Sequence, residues 1–182
     1  MKRVHLTLFV CALAVSFDPS TAAPQDRQPP DGLEAISMLL GRWEGASDGQ
    51  PGVGQVRREY ARVLNGRFIR VDNRSTYAPQ SKNPKGEVHE DIGIFSFDAA
   101  RQRIVLRQFH IEGFVNEYVQ DAAAQGGRVV LTSESIENIP PGWRARETYV
   151  VLGPDEFEEI FELAGPEKPF ELYSRARLKR AR

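Results

Sequence analysis

A single cysteine among 182 residues excludes both a disulfide framework and a metal site built on thiolates. Charge of one sign is not in excess either. With 24 Lys and Arg against 25 Asp and Glu, the net charge is −1, so the chain has no generic pull towards nucleic acid or anionic lipid. No apolar run reaches the ~20 residues of a bilayer-crossing helix, and integral membrane association is not expected. Gly49 to Gly54 lacks the Lys-Ser/Thr ending of a phosphate-binding loop. What remains is a globular composition, 41 % hydrophobic and 27 % charged, of a length that suits one domain.

The first residues carry the pattern of an export signal. Lys2 and Arg3 precede an apolar stretch from Leu6 to Phe17, and Ser20-Thr21-Ala22 supplies the small residues that a signal peptidase cleaves behind. The expectation is a signal peptide over 1–22, a disordered, proline-rich leader over 23–30 and one domain over 31–182, periplasmic or secreted. Cys11 lies within the signal, and Val10 before it does not suit a lipid-anchored cysteine.

Asp31 is placed to cap a short helix carrying Leu33, Ile36, Leu39 and Leu40. After it, runs rich in Val, Ile, Phe, Tyr and Thr are separated by turn signals such as Asn65-Gly66, Gly126-Gly127, Pro140-Pro141-Gly142 and Gly153-Pro154-Asp155. About ten strands result, at roughly 41–49, 53–64, 67–77, 86–97, 102–110, 114–120, 128–138, 144–152, 157–164 and 170–180. No gap admits a crossover helix. The fold class is therefore all-β, an antiparallel up-and-down barrel, with a two-sheet sandwich as the alternative.

Hairpin register assigns faces. A two-residue turn at Asn65-Gly66 sets Tyr60 against Val71, Arg62 against Ile69 and Arg58 against Asn73, and this face points inward with Leu64. A turn centred on Ala99-Ala100 sets Asp91 against Gln108 and His89 against His110, with Gly93, Phe95 and Leu106 on the same inner face. His5 lies in the signal, so the mature chain would keep only His89 and His110, as one cross-strand pair. In the last hairpin Phe157, Glu159, Phe161 and Leu163 share the inner face with Phe170, Leu172, Ser174 and Ala176, while Arg175, Arg177 and Lys179 face outward. Arg58 and Glu159, if buried, each require a counter-charge, a bound anion or water. The interior so described is part apolar and part cationic, suited to an amphipathic small molecule bearing an acidic group. Its candidate ligand-binding residues are His89, His110, Arg58, Tyr60, Arg62, Asn73, Asp91 and Glu159.

Leu40-Gly41-Arg42-Trp43-Glu44-Gly45 at the first strand, followed by a meander and an Arg-rich last strand, resembles the calycin superfamily of lipocalins and fatty-acid-binding proteins. The resemblance implies that Trp43 closes the barrel floor under a basic residue of the last strand, Arg175, Arg177 or Arg180. Only Gln50, Pro51 and Gly52 separate the first two strands, which leaves no room for a helical lid. The closer resemblance is to the nitrobindin-like haem-binding barrels, whose His-x-Glu-x-Gly segment is similar to His89-Glu90-Asp91-Ile92-Gly93. That likeness implies haem as a cofactor, but the family's proximal histidine lies on the last strands, and here no histidine follows His110. Iron would depend on His110 or His89.

Catalysis finds little support. His89 with Asp91, or His110 with Glu112, could exchange protons, yet Ser133 and Ser135 stand in no nucleophile elbow. His89, His110 and Asp91 lack a fourth donor for zinc, and no metal site is assigned. Trp143 reads as a turn anchor or a rim residue rather than a nucleic-acid stacking platform. The remaining alternative is a packed barrel that serves a structural or protein-interaction role.

Overall fold

The computed structural model describes residues 32–121 and 126–182. The expected signal peptide, the leader and Asp31 lie outside them. Ten strands follow in order: β1 (Gly41–Gly49), β2 (Gly54–Val63), β3 (Phe68–Tyr77), β4 (Glu87–Asp98), β5 (Arg103–His110), β6 (Val115–Gln120), β7 (Arg128–Glu137), β8 (Arg144–Gly153), β9 (Glu156–Ala164) and β10 (Glu171–Arg180). Each pairs antiparallel with its neighbours in sequence, and β10 pairs with β1 to close the barrel. Closure leaves no free edge and excludes the sandwich.

Alternation produces this wall. In β2, Gly54, Val56, Arg58 and Tyr60 are buried while Gln55, Arg57 and Glu59 are exposed, so each strand gives one row to the interior and one to water. The outer rows carry cross-strand ion pairs such as Arg57–Glu44, Arg107–Glu117 and Arg177–Glu156. Solvent screens them, and they set register more than stability.

One end is sealed. Where the sequence suggests a capped helix, the chain forms a six-residue 3-10 helix, Glu34–Leu39, and Leu33 at its N-terminus makes no side-chain cap. Two turns are too short to propagate α-helical bonding, and bonds of the i→i+3 kind take over. Leu33, Ile36 and Leu39 bury completely against Trp43, whose indole Nε1 donates to Leu39 O at 2.6 Å. Arg180 is the basic residue over the Trp43 ring, its guanidinium carbon 4.2 Å from the ring centre, and it also donates to Leu40 O at 2.8 Å. Arg175 and Arg177 do not reach the floor. Ala176 and Leu178 point inward, so 175 and 177 face out, where they meet Glu158 and Glu156; Arg180 shares the inward parity and folds under the barrel end.

Above this floor Trp43, Tyr60, Phe95, Tyr118, Tyr149 and Phe157 fill the closed half of the interior. Trp43 and Phe157 meet edge-to-face at 4.8 Å between ring centres. Aromatic filling stops there, and the other half of the barrel is not plugged.

Three local features alter the expected faces. The Asn65-Gly66 hairpin holds the expected register, with both residues at positive φ, but Leu64 and Arg62 lie at the rim and are exposed. Arg62 Nη1 donates to Gly66 O at 2.8 Å instead of entering the interior. Alternation fixes a direction, and beyond the rim no neighbouring layer covers it. The β4–β5 turn is longer than expected: Asp98 pairs with Arg103, Gln102 takes φ 55°, and the Asp98 carboxylate accepts from Ala100 N and Arg101 N. The pairing slips by two residues, which preserves faces while changing partners, so His110 stands opposite Asp91 and not His89. In β10 a bulge between Leu172 and Ser174 reverses the parity ahead of it. Leu172 therefore lies 46 % exposed, Tyr173 turns towards Phe161, and Phe170 packs outside under the Arg144 and Arg146 guanidinium groups.

Candidate functional site

The unsealed end is ringed by the loops that follow β1, β3, β5, β7 and β9. Inside it lies a cavity of about 610 Å³. Its upper wall is apolar, with Ile136, Ile139, Trp143, Phe161 and Leu163, and its lower wall is a belt of buried polar side chains. Inward-facing positions of β2, β3, β4, β5, β6, β8 and β9 supply that belt.

Arg58 and Glu159 join across it. Arg58 Nε donates to Glu159 Oε2 at 3.2 Å and Nη2 to Oε1 at 2.7 Å, while Nη1 reaches Arg74 O and Ser75 Oγ. Burial alone would lower the guanidinium pKa, but the adjacent Glu159 charge outweighs it and holds Arg58 protonated. The counter-charge each required is the other. The cationic interior expected from Arg58 is thereby cancelled, and no guanidinium in the belt is left over for an acidic ligand.

Asp91 is the second centre. Its Oδ1 accepts from Asn73 Nδ2 at 2.7 Å and Gln108 Nε2 at 3.2 Å, and its Oδ2 lies 3.5 Å from His89 Nε2. Burial opposes ionisation of this carboxyl, yet the hydrogen bond to His89 and the charge of Arg58 hold its pKa below the ordinary value. His89 sits between two carboxylates, with Nδ1 2.8 Å from Glu112 Oε1. Burial acts to lower its pKa, but the hydrogen bonds to Asp91 and Glu112 prevail and raise it to about 9. His110 Nδ1 lies 3.3 Å from His89 Nε2, its ring stacks on Phe114 at 4.1 Å between centres, and its Nε2 lies 3.2 Å from Asn116 Nδ2. Burial lowers the His110 pKa, so this imidazole is neutral beside a charged one.

The structure thus gathers His89, His110, Arg58, Asn73, Asp91 and Glu159 around one cavity. Tyr60 lies below them in the floor, its hydroxyl buried without a partner, and Arg62 is not part of the site. Glu147 and Asn116 escaped the sequence reading. Glu147 is buried, its Oε2 unpaired; burial first, then the charges of Glu159 and Asp91, push its pKa well above the ordinary value, which favours the neutral carboxylic acid. Asn116 Nδ2 donates to the Tyr118 hydroxyl at 2.7 Å. The signal for both was the alternation Ala145-Glu147-Tyr149 and Asn116-Tyr118, which carries a polar residue on an inward row.

Haem, implied by the resemblance, fits these residues poorly. The facing nitrogens of the two imidazoles, His89 Nε2 and His110 Nδ1, are only 3.3 Å apart, too close to admit a porphyrin plane between them, and β9 and β10 hold no histidine.

Neither a family model nor a curated protein matches the sequence. Among solved structures, the crystal structure of Rv2717c from M. tuberculosis superposes with a TM-score of 0.62 over 83 % of this chain and 98 % of that one, at 20 % identity. This likeness extends to the fold, a closed antiparallel barrel. Among the described residues no helix is long and apolar enough to cross a membrane.

Proposed function

We propose that the protein is an exported, lidless, calycin-like carrier that binds one small amphipathic molecule in the open half of the barrel. The observation that carries this reading is the contrast within one cavity of about 610 Å³: an apolar upper wall over a buried belt whose Asn73 Oδ1, Gln108 Oε1, Asn116 Oδ1 and Glu147 Oε2 have no hydrogen-bond partner. Buried polar atoms left unpaired cost about 1–3 kcal/mol each, which bound water or a ligand's polar groups would recover. An apolar body would lie against Phe161, Leu163 and Trp143, and the polar end would reach the belt. With Arg58 committed to Glu159 and three of the unpaired atoms being amide oxygens, the belt favours a neutral or cationic head rich in N–H or O–H donors. The acidic group expected from the sequence would need to displace Glu159 from Arg58.

Titration with a neutral environment-sensitive dye such as Nile red tests the reading. One dye per chain is expected, with binding lost in Ser174→Trp, which adds an indole at the cavity wall, and kept in Ser174→Ala. Binding that ignores Ser174→Trp, or a wild-type barrel that takes no dye and no amphipathic amine, would overturn it. The export half of the reading rests on residues 1–22 and is tested separately by the N-terminus of protein recovered outside the cytoplasm.

A further inference from the structure

We propose that the barrel mouth holds one divalent transition-metal ion of the zinc class, coordinated by His89 Nε2, whose proton the metal displaces to solvent, by His110 Nδ1 and by the carboxylate of Glu112, with an open position facing the cavity. This is independent of the carrier reading, because it needs neither the apolar wall nor a lipid-like guest.

The donors come together through the β4–β5 register. The two-residue slip that sets His110 opposite Asp91 carries the chain one step further, with Ile111 N donating to Glu90 O at 2.9 Å, and brings Glu112 rather than His110 across from His89. The carboxylate that the sequence reading did not place there is the third donor of the site. Donor atoms of His89, His110 and Glu112 all lie within 4.8 Å of one another. The two imidazole nitrogens, 3.3 Å apart, already stand at the edge length of a coordination tetrahedron, which is ~3.3–3.4 Å for bonds of 2.0–2.1 Å. Glu112 is on the four-residue connection to β6 and its side chain is exposed; its Oε1 lies 2.8 Å from His89 Nδ1, so closing the third contact swings the carboxylate from that nitrogen towards Nε2 and moves neither strand.

The surroundings hold the rings in place. Phe114 stacks on His110 with an interplanar angle of 22°. Asn116 is almost fully buried beside His110 Nε2 and its Oδ1 has no partner. The structure sets Asn116 Nδ2 beside both His110 Nε2 and the Tyr118 hydroxyl; with the amide turned by 180°, which exchanges two nearly isosteric groups, Oδ1 would accept the His110 Nε2 proton, fix the tautomer and leave the Nδ1 lone pair for a metal, the outer partner that ligating histidines commonly have. Asp91, 3.5 Å from His89 Nε2, adds a buried negative charge that balances a dication. Two imidazoles and a carboxylate suit zinc, nickel or copper and not magnesium or calcium. Three protein ligands and an open position describe a site that can present a bound water or a ligand's donor to the cavity.

Calorimetric titration of the untagged full chain with ZnCl2, and with MgCl2 for comparison, tests the proposal. One Zn2+ per chain is expected, with no heat from Mg2+ under the same conditions. His89→Ala and His110→Ala should each weaken Zn2+ at least about 100-fold, and Glu112→Gln or Asn116→Ala about 10-fold. Far-UV circular dichroism confirms that each variant is folded, and Co2+ should give a visible tetrahedral spectrum in the wild type that His89→Gln abolishes. Zn2+ binding that survives unchanged in both histidine variants, or that is no tighter than Mg2+ binding, would overturn it. Nile red binding serves as the independent control. Zn2+ binding without dye binding supports the metal site alone, and dye binding without Zn2+ binding rejects it alone.

Discussion

Arg58 and Glu159, 101 positions apart in sequence, face each other across the barrel interior through two hydrogen bonds of 3.2 and 2.7 Å, their side chains 7 % and 13 % exposed. They tie β2 to β9, strands that are not neighbours in the wall. Removing one partner leaves the other charge buried and uncompensated. Arg58→Ala or Glu159→Ala should each lose about 3–5 kcal/mol in urea unfolding, whereas the double change Arg58→Met with Glu159→Leu should be at least as stable as the wild type. Equal losses in single and double variants would contradict the pairing.

Closure of the floor depends on Arg180 rather than on the residues before it. Arg180→Ala gives up the contact with the Trp43 ring and the hydrogen bond to Leu40 O, and a loss of about 2 kcal/mol is expected with altered Trp43 fluorescence. Arg175→Ala and Arg177→Ala remove only outer-wall ion pairs, and their unfolding midpoints should match the wild type.

Glu147 gives the barrel an alkaline weakness. Its pKa is raised in the folded state, so the native protein binds this proton more tightly than the unfolded chain does. Its contribution is fully present below the ordinary Glu value and is lost as pH rises from there towards the folded value. Glu147→Gln, uncharged at every pH, should flatten that decline. Unfolding curves between pH 4 and pH 9 that run parallel for the two proteins would contradict a neutral Glu147.

His89 acts in the same direction at higher pH. With its pKa raised to about 9, it contributes stability that is complete below about 6.5 and disappears as pH passes through 9. In chelator-treated protein, imidazole NMR signals should show one ring titrating near pH 9 and the other, His110, below the usual histidine value. His89→Gln should remove the alkaline transition, and two rings titrating together near 6.5 would refute the arrangement.

The sequence reveals much of this because a barrel wall is a repeated local problem. Alternation and turn residues placed all ten strands to within a residue or two, and Asn65-Gly66 set the β2–β3 register directly. The errors come from features with weak local signals. A four-residue turn at Ala99–Gln102 differs from a two-residue turn only in a left-handed Gln102, and the resulting slip preserves parity, so the histidines stay inside while their partners change. The β10 bulge at Tyr173 has no glycine to mark it, and it turned Leu172 and Phe170 outward. Nor does any local pattern report that Arg58 finds Glu159 or that Glu147 lies buried, since those facts depend on which strands face one another across a closed cylinder.

Native mass spectrometry of protein purified without denaturation, before and after mixing with an amphipathic amine, tests the account most directly. The expected result is a chain carrying one extra small molecule, either already present or acquired one-for-one, which denaturation releases and Ser174→Trp prevents. A wild-type chain that shows its bare mass throughout, or a Ser174→Trp variant that takes up the amine as well as the wild type does, would contradict it.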